Sequence, residues 1–452
     1  MIESAVSISR NAKLALAIYL IALAAYLGGS NTRLRHQSAD THFLYQAQMF
    51  LQHRLDLGHA APNQNDWAEV EYLHLKDGRT VAGGFSRAQP TRFRTLGGKI
   101  EEISSEQIQN RWKKYYVSFP PFPALLFLPL VAIWGMAVND ILVSIFVAAI
   151  APALLFLVLR RLAARGDSAR NEVDDMWLTA MFSVGTVYFY SSVLGSVWYT
   201  AHVVAMVLTG LFVLASFEAR RPILAGLCLG AIVLTRPQMG FLGIFFLYEM
   251  WRARKPIFST LVQVGIPIAI LGAGGAAFNY ARFHSFGEFG HSYLNVRWTD
   301  RIQRFGLFNF SFLSRNLAAA FVLTPKLIAK KPYVQISWHG MSMLITTPAL
   351  LYLLYPRVRG ALHTALWAAV APVALLSFLY QNDGWVQFGF RFSNDYLFFL
   401  IMLLAVGGRP MTRTWKVLIV VGIAVNLYGA ITFGRMWQCY HDGFFPISPG
   451  EL

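Results

Sequence analysis

ILVSIFVAAIAPALLFLVLRRLAARGDSAR, residues 141–170, is an apolar run that ends abruptly in a basic cluster. A helix rises about 1.5 Å per residue, so residues 141–159 reach about 28 Å. That nearly matches a hydrocarbon layer about 30 Å thick. The four arginines that follow, Arg160, Arg161, Arg165 and Arg170, mark the cytoplasmic end, because Lys and Arg accumulate there in short loops. The same pairing of apolar run and basic stop recurs along the chain. Hydrophobic residues make up 56% of the 452 and charged ones only 14%, against about 25% charged in an ordinary soluble protein. One aqueous core cannot hide so much apolar surface. The period-2 alternation of a membrane barrel is not evident. The pattern predicts an all-α polytopic membrane protein.

Working outward, Arg10 and Lys13 place the N-terminus inside, and 14–29 leads out. Segment 177–194 leads out, and 198–217 returns to EARRP. The arms 222–235 and 238–251 form a hairpin that ends in WRARK. Segments 258–278, 341–355, 361–380, 395–407 and 416–433 complete the series. That gives about eleven spans, with the short basic clusters on one side. Ala22-Leu23-Ala24 resembles a signal-peptide cleavage site, but a retained anchor better explains an apolar run that continues to Leu27. Residues 115–135 (YYVSFPPFPALLFLPLVAIWG) are read as a helix in the interface or re-entering, since a full span would put RRLAAR outside. Residues 1–452 thus form one transmembrane domain, with external regions 30–138 and 279–340 as a cap. The insertion 59–114 reads as loop and short helices. The formal charge is +16, and region 279–340 carries eight Lys or Arg, Arg297 among them, against two carboxylates. Such a surface suits anionic headgroups or the phosphate of a lipid-linked substrate.

Cys228 and Cys439 offer neither a disulfide framework nor metal spacing. No nucleotide-binding loop, nucleophile elbow or zinc-protease motif occurs, so any synthetic reaction must draw on an activated substrate. No nucleic-acid partner is expected.

Polar groups near spans are costly and mark candidate sites. Asp40, in SADTHFLYQAQMFLQHRLDL (38–57), comes first. Ser38 can cap a helix starting near Ala39. Phe43, Leu44, Ala47, Phe50 and Leu51 form one apolar face that would lie along the outer membrane surface. Asp40 would then sit in the first turn, ionised by the helix dipole and able to act as a general base, or else it merely assists capping. His42 and Tyr45 follow it, with His42 a hydrogen-bond partner rather than a ligand. Arg236 lies at the turn of the short hairpin, facing a cavity or the headgroups. Trp198 and His202 begin an inward-going helix, where Trp198 can equally belong to an aromatic belt. Arg391 and Asp395, four apart, either pair with each other or bind and orient a phosphate.

Taken together these segments resemble the GT-C membrane glycosyltransferases, in particular the family-39-like enzymes related to protein O-mannosyltransferases and lipid A aminoarabinose transferases. The motifs are the stretch around Asp40, YVSFPPFPALLFLPL, GLCLGAIVLTRP, NYARFHSFGEFGHSYL, HGMSMLITTPALL and GWVQFGFRFSNDYLFFL, in the family's order over nearly the whole chain. The resemblance implies a polyprenyl-phosphate sugar donor, inversion at the anomeric carbon, a bacterial inner-membrane location, and Asp40 as the base that takes the acceptor's proton. It implies cations at the donor phosphate, for which Arg391, Arg236, Lys113 and Lys114 are candidates. His42, Tyr45, Tyr116, Trp198, His202 and Asp395 are the candidate substrate-binding residues. Two positions depart from the family pattern: Thr41 stands where relatives carry a second acid, and Phe119 where they carry a lysine. The acceptor, whether glycan, lipid or protein, stays open, as does a divalent cation. A transporter or flippase of lipid-linked glycans and a non-catalytic envelope assembly protein are the alternatives.

Overall fold

The computed structural model describes residues 2–86, 89–296 and 298–444. Arg297 lies outside them. Six helices among the described residues are long and apolar enough to cross a membrane: Arg10–Arg35, Asp140–Ala164, Val197–Ala219, Ile257–Phe283, Ala361–Leu379 and Arg413–Thr432. The other apolar runs are broken or, like 395–407, form a helix too short to cross. Segment 177–194 is a helix Glu172–Val184 and a short turn Tyr188–Ser192. The hairpin is Pro222–Val233 and Gly243–Arg252 around a 3-10 turn. Segment 341–355 is two short pieces, the second opening at Pro348.

The chain divides into two compact units. The first takes in the chain up to Ser38, Asn139–Ile268 and the chain from Phe310 on; the second comprises Ala39–Val138 and Ala269–Asn309.

In the first unit every residue of the helix Asn394–Val406 is buried. A helix buried on every side belongs at the centre of a bundle. Around it, hydroxyls are satisfied within their own helices: Thr209 donates to Ala205 O, Ser216 to Phe212 O and Thr235 to Ala231 O. Three arginines of the basic cluster that closes the opening stretch are engaged in ion pairs, while Arg170 donates to Leu404 O and Arg409 O. Arg160 meets Asp175 at 2.7 Å, Arg161 meets Glu218 at 2.9 Å, and Arg165 meets the buried Glu249 at 2.9 Å. Gly226 lets the hairpin approach the Ile257–Phe283 helix, since a Cβ there would lie 2.2 Å from Val264 O. Gly226→Ala should therefore cost about 1–3 kcal/mol, read as a lower unfolding temperature of the protein in nanodiscs. A small sheet completes this unit: β6 (Lys326–Leu327) pairs antiparallel with β7 (Val334–Ser337), which pairs parallel with β8 (Tyr440–His441).

The second unit corrects the all-α expectation. Residues read as loop and short helices form a five-stranded antiparallel sheet of β1 (Trp67–Leu75), β2 (Thr80–Phe85), β3 (Arg92–Thr95), β4 (Ile100–Glu102) and β5 (Ile108–Val117), in the order β4-β3-β2-β1-β5. The reason lies in WAEVEYLHL. Side chains alternate between faces of a strand, so Leu73 and Leu75 join Phe93 and Ile103 on one side, while Ala68 and Val70 join Tyr116 and Phe283 on the other. Arg282 ties the last turn of the long helix to the sheet by donating to Val117 O at 2.8 Å.

The helix after Asp40 also differs from expectation. It runs His42–Leu51 with Thr41 at the N-cap position, not from Ala39. Ser38 instead donates its N–H and hydroxyl to the carboxylate of Asp140, at 2.9 and 2.5 Å. Phe43, Leu44, Ala47 and Met49 are buried together with the polar His42 and Gln46, so this helix is a packed element rather than one floating on a membrane surface.

Candidate active site

Asp40 sits two residues before its helix, outside the first turn, and is 7% exposed. Its Oδ1 accepts from Asn65 Nδ2 at 3.0 Å and, more loosely, from Asn63 Nδ2 at 3.4 Å. The Asn63 carboxamide is itself fixed, and so is the main chain at Asn65. Asn63 Oδ1 accepts from Trp67 Nε1 at 2.8 Å, and Asn65 O lies 2.8 Å from His42 Nε2. That carbonyl can only accept, so Nε2 carries the imidazole proton. The His42 ring stacks on Trp67 with centroids 3.8 Å apart, and the edges of Phe119 and Tyr45 close on the pair. Burial pushes the His42 pKa down to about 4, which keeps it neutral.

Burial raises the Asp40 pKa; bonds from Asn65 and Asn63 oppose this, and the neighbouring charge of Asp66 adds to it. A carboxylate held by neutral amides in a buried pocket is a stronger base than one in water. Asn63, Asn65 and Trp67 were missed by reading the sequence alone. Their signal is PNQNDW, two asparagines two apart beside a tryptophan in an otherwise polar stretch.

No family model, curated protein or solved structure matches this chain. Assignment of the site rests on its geometry.

Tyr116, also in the second unit, is buried with its hydroxyl 3.0 Å from that of Tyr72. Lys113 and Lys114, adjacent on β5, point to opposite faces of the sheet and cannot hold one anion together. Lys113 pairs with Glu69, and Lys114 lies 3.4 Å from Asp56.

The other candidates lie in the first unit. Asp395 and Arg391 do not pair with each other. Asp395 is fully buried, and its two oxygens are filled: Oδ1 by Arg236 Nε and His202 Nδ1, each at 3.0 Å, and Oδ2 by an Arg236 terminal nitrogen at 2.6 Å and Gln238 Nε2 at 2.7 Å. Arg236 is thereby committed to a bidentate pair inside the bundle, with its side chain only 16% exposed, rather than facing an open cavity. A saturated, enclosed carboxylate of this kind positions helices and is a poor base. His202 Nε2 has no partner among the described residues. Arg391 donates to Val386 O at 3.0 Å and lies within 6 Å of the rings of Trp198 and Tyr199.

A further cluster escaped sequence reading because its members are 68 residues apart. Arg315 Nε and His339 Nδ1 each lie 2.8 Å from Asp383 Oδ2. Burial works to raise the Asp383 pKa, but the His339 hydrogen bond and the charges of His339 and Arg315 outweigh it, and the net shift is downward. A depressed carboxylate pKa adds stability above the ordinary carboxylate range, and that stability is lost as pH falls through the lowered value. Asp383→Asn should thus be less stable than the wild type at neutral pH, with the gap closing as the solution is acidified below the ordinary range. Thermal unfolding across a pH series measures it. No group of three or more His, Cys, Asp or Glu gathers among the described residues as a metal centre would need.

Proposed function

We propose that the protein is a membrane glycosyltransferase of the GT-C type, with about eleven spans, acting on the extracytoplasmic side of a bacterial inner membrane. It moves a sugar from a polyprenyl-phosphate donor to an acceptor hydroxyl with inversion. The observation that carries this reading is Asp40, a buried carboxylate held by two carboxamides with its basicity raised by burial. In the reaction Asp40 takes the proton of the acceptor hydroxyl as that oxygen bonds to the anomeric carbon. The bond from that carbon to the phosphate oxygen breaks, and the lipid phosphate leaves with the electron pair. Asn63, Asn65 and the His42–Trp67 stack keep the carboxylate aimed, so little reorganisation is needed when charge moves. Cations at the leaving phosphate would lower the barrier. In the unit that holds Asp40, Lys113 and Lys114 are tested for that role by the effect of single alanine substitutions on donor KM.

The enclosed Arg236–Asp395–His202 cluster favours a second reading, transport of a lipid-linked glycan, because ionisable groups among apolar helices commonly mark transport paths. Purified protein in nanodiscs, incubated with a radiolabelled panel of polyprenyl-phosphate sugars, separates the two. Donor consumption, by transfer or by slow hydrolysis when the acceptor is missing, supports the transferase. Donor binding without consumption across a broad acceptor panel supports transport.

A further inference from the structure

In the first unit, Arg33 and Arg435 converge on the same two oxygens. Gly29 O accepts from a terminal nitrogen of Arg33 at 3.2 Å and from one of Arg435 at 3.0 Å. Ala430 O accepts from the same two nitrogens, at 2.8 and 2.9 Å. Arg33 also donates to Phe433 O, and Arg435 to Ser30 O at 3.1 Å and Ile431 O at 2.7 Å. All these acceptors are main-chain carbonyls where two membrane-length helices finish, one at Ser30 and the other at Thr432. The two helices therefore end side by side, at one level of the membrane.

Capping accounts for the first guanidinium but not for the second. A helix C-terminus carries about half a negative charge, so two of them offset about one of the two positive charges. Neither arginine meets a carboxylate among the described residues. A net positive charge is left at the edge of the hydrocarbon layer. The donors are not used up either. Arg33 keeps its Nε–H and a terminal N–H, and Arg435 a terminal N–H, with no acceptor among the described residues. Two residues beyond Arg435, Trp437 is 64% exposed, as an aromatic ring at headgroup level is. Leu427 and Ile431, exposed one turn apart on the helix that leads to Arg435, offer an apolar track for an acyl chain.

We propose that Arg33 and Arg435 together bind the phosphodiester of an anionic phospholipid. The phosphate oxygens accept from the free N–H groups of the two forks, which suit that geometry, and the lipid supplies the missing negative charge. The acyl chain beside Leu427 and Ile431 sets the lipid apart from free phosphate as the occupant.

The test is native mass spectrometry of the full chain in detergent, titrated with phosphatidylglycerol, phosphatidylcholine or inorganic phosphate. The wild type should retain phosphatidylglycerol in preference to phosphatidylcholine. Loss of a charged hydrogen bond should weaken that retention about tenfold in Arg33→Gln and in Arg435→Gln. Arg435→Lys, which keeps the charge and loses the fork, should weaken it less. Unfolding temperatures measured beside the binding show which variants fold; should the glutamine variants not fold, Arg33→Lys and Arg435→Lys carry the test. Equal retention of phosphatidylglycerol by wild type and folded variants, or equal retention of the two lipids by the wild type, overturns the site. Displacement of phosphatidylglycerol by inorganic phosphate at matched concentration overturns the lipid as its occupant. Lipid binding here needs no turnover at Asp40, so its failure would leave the transferase reading untouched, and loss of turnover in Asp40→Asn would leave this one untouched.

Discussion

Asp40→Asn should lower sugar transfer by about a hundred- to ten-thousand-fold, the usual contribution of a positioned general base, while the protein stays folded. The asparagine carbonyl can still accept from Asn65, so the local frame survives. Stability should hold or rise. Burial raises the folded-state pKa of Asp40, so the folded protein binds this proton more tightly than the unfolded chain does. The resulting stability is complete below the unfolded pKa and lost as pH rises through the folded value. At neutral pH the ionised Asp40 is therefore a burden that asparagine removes. The wild-type rate should also fall on the acid side at a pH above the ordinary carboxylate range, because the base form disappears at the raised value. Initial rates over a pH series, with unfolding temperatures for both proteins, check all three expectations. An Asp40→Asn protein that keeps full turnover would end the proposal that Asp40 is the base.

Asp395→Ala should do the opposite: it should strike stability first. Removing the carboxylate leaves Arg236 in the bundle without its counter-charge, and deprives Gln238 and His202 of their acceptor. Breaking a buried pair from one side costs about 3–5 kcal/mol, enough to unfold a marginally stable protein. The double variant Asp395→Asn with Arg236→Gln should recover much of the loss, because no lone charge is left behind. Unfolding by heat in nanodiscs, with all variants side by side, measures the coupling. If Asp395→Ala unfolds at the wild-type temperature, the cluster does not hold the helices together.

These two aspartates show what a sequence reveals and what it hides. Asp40 and Asp395 both stood out as acids beside apolar runs, and only their surroundings separate them. Those surroundings come from afar: Arg236 and His202 are 159 and 193 residues from Asp395. The six long helices were legible because hydropathy over some twenty residues leaves few other outcomes. The broken segments were not, since an average over apolar residues is blind to the interruptions at Gly185, Pro237 and Pro348. The sheet was hidden differently. WAEVEYLHL does alternate, but its charged flanks and the short partners β3 and β4 look like loop until the strands pair. At the candidate site, Asp40 was foreseen, but not the Asn63–Asn65–Trp67 frame, because carboxamides in a polar stretch carry no period.

The helix Asn394–Val406 has 13 residues and no exposed face, and at 1.5 Å per residue it rises only about 20 Å, well short of a hydrocarbon layer about 30 Å thick. On its own it could neither cross a bilayer nor shelter Asp395. Shelter for Asp395 comes only from its neighbours: His202 of Val197–Ser216 and Arg236 and Gln238 of the hairpin turn close over it, so the burial of the central helix depends on those elements being in place around it.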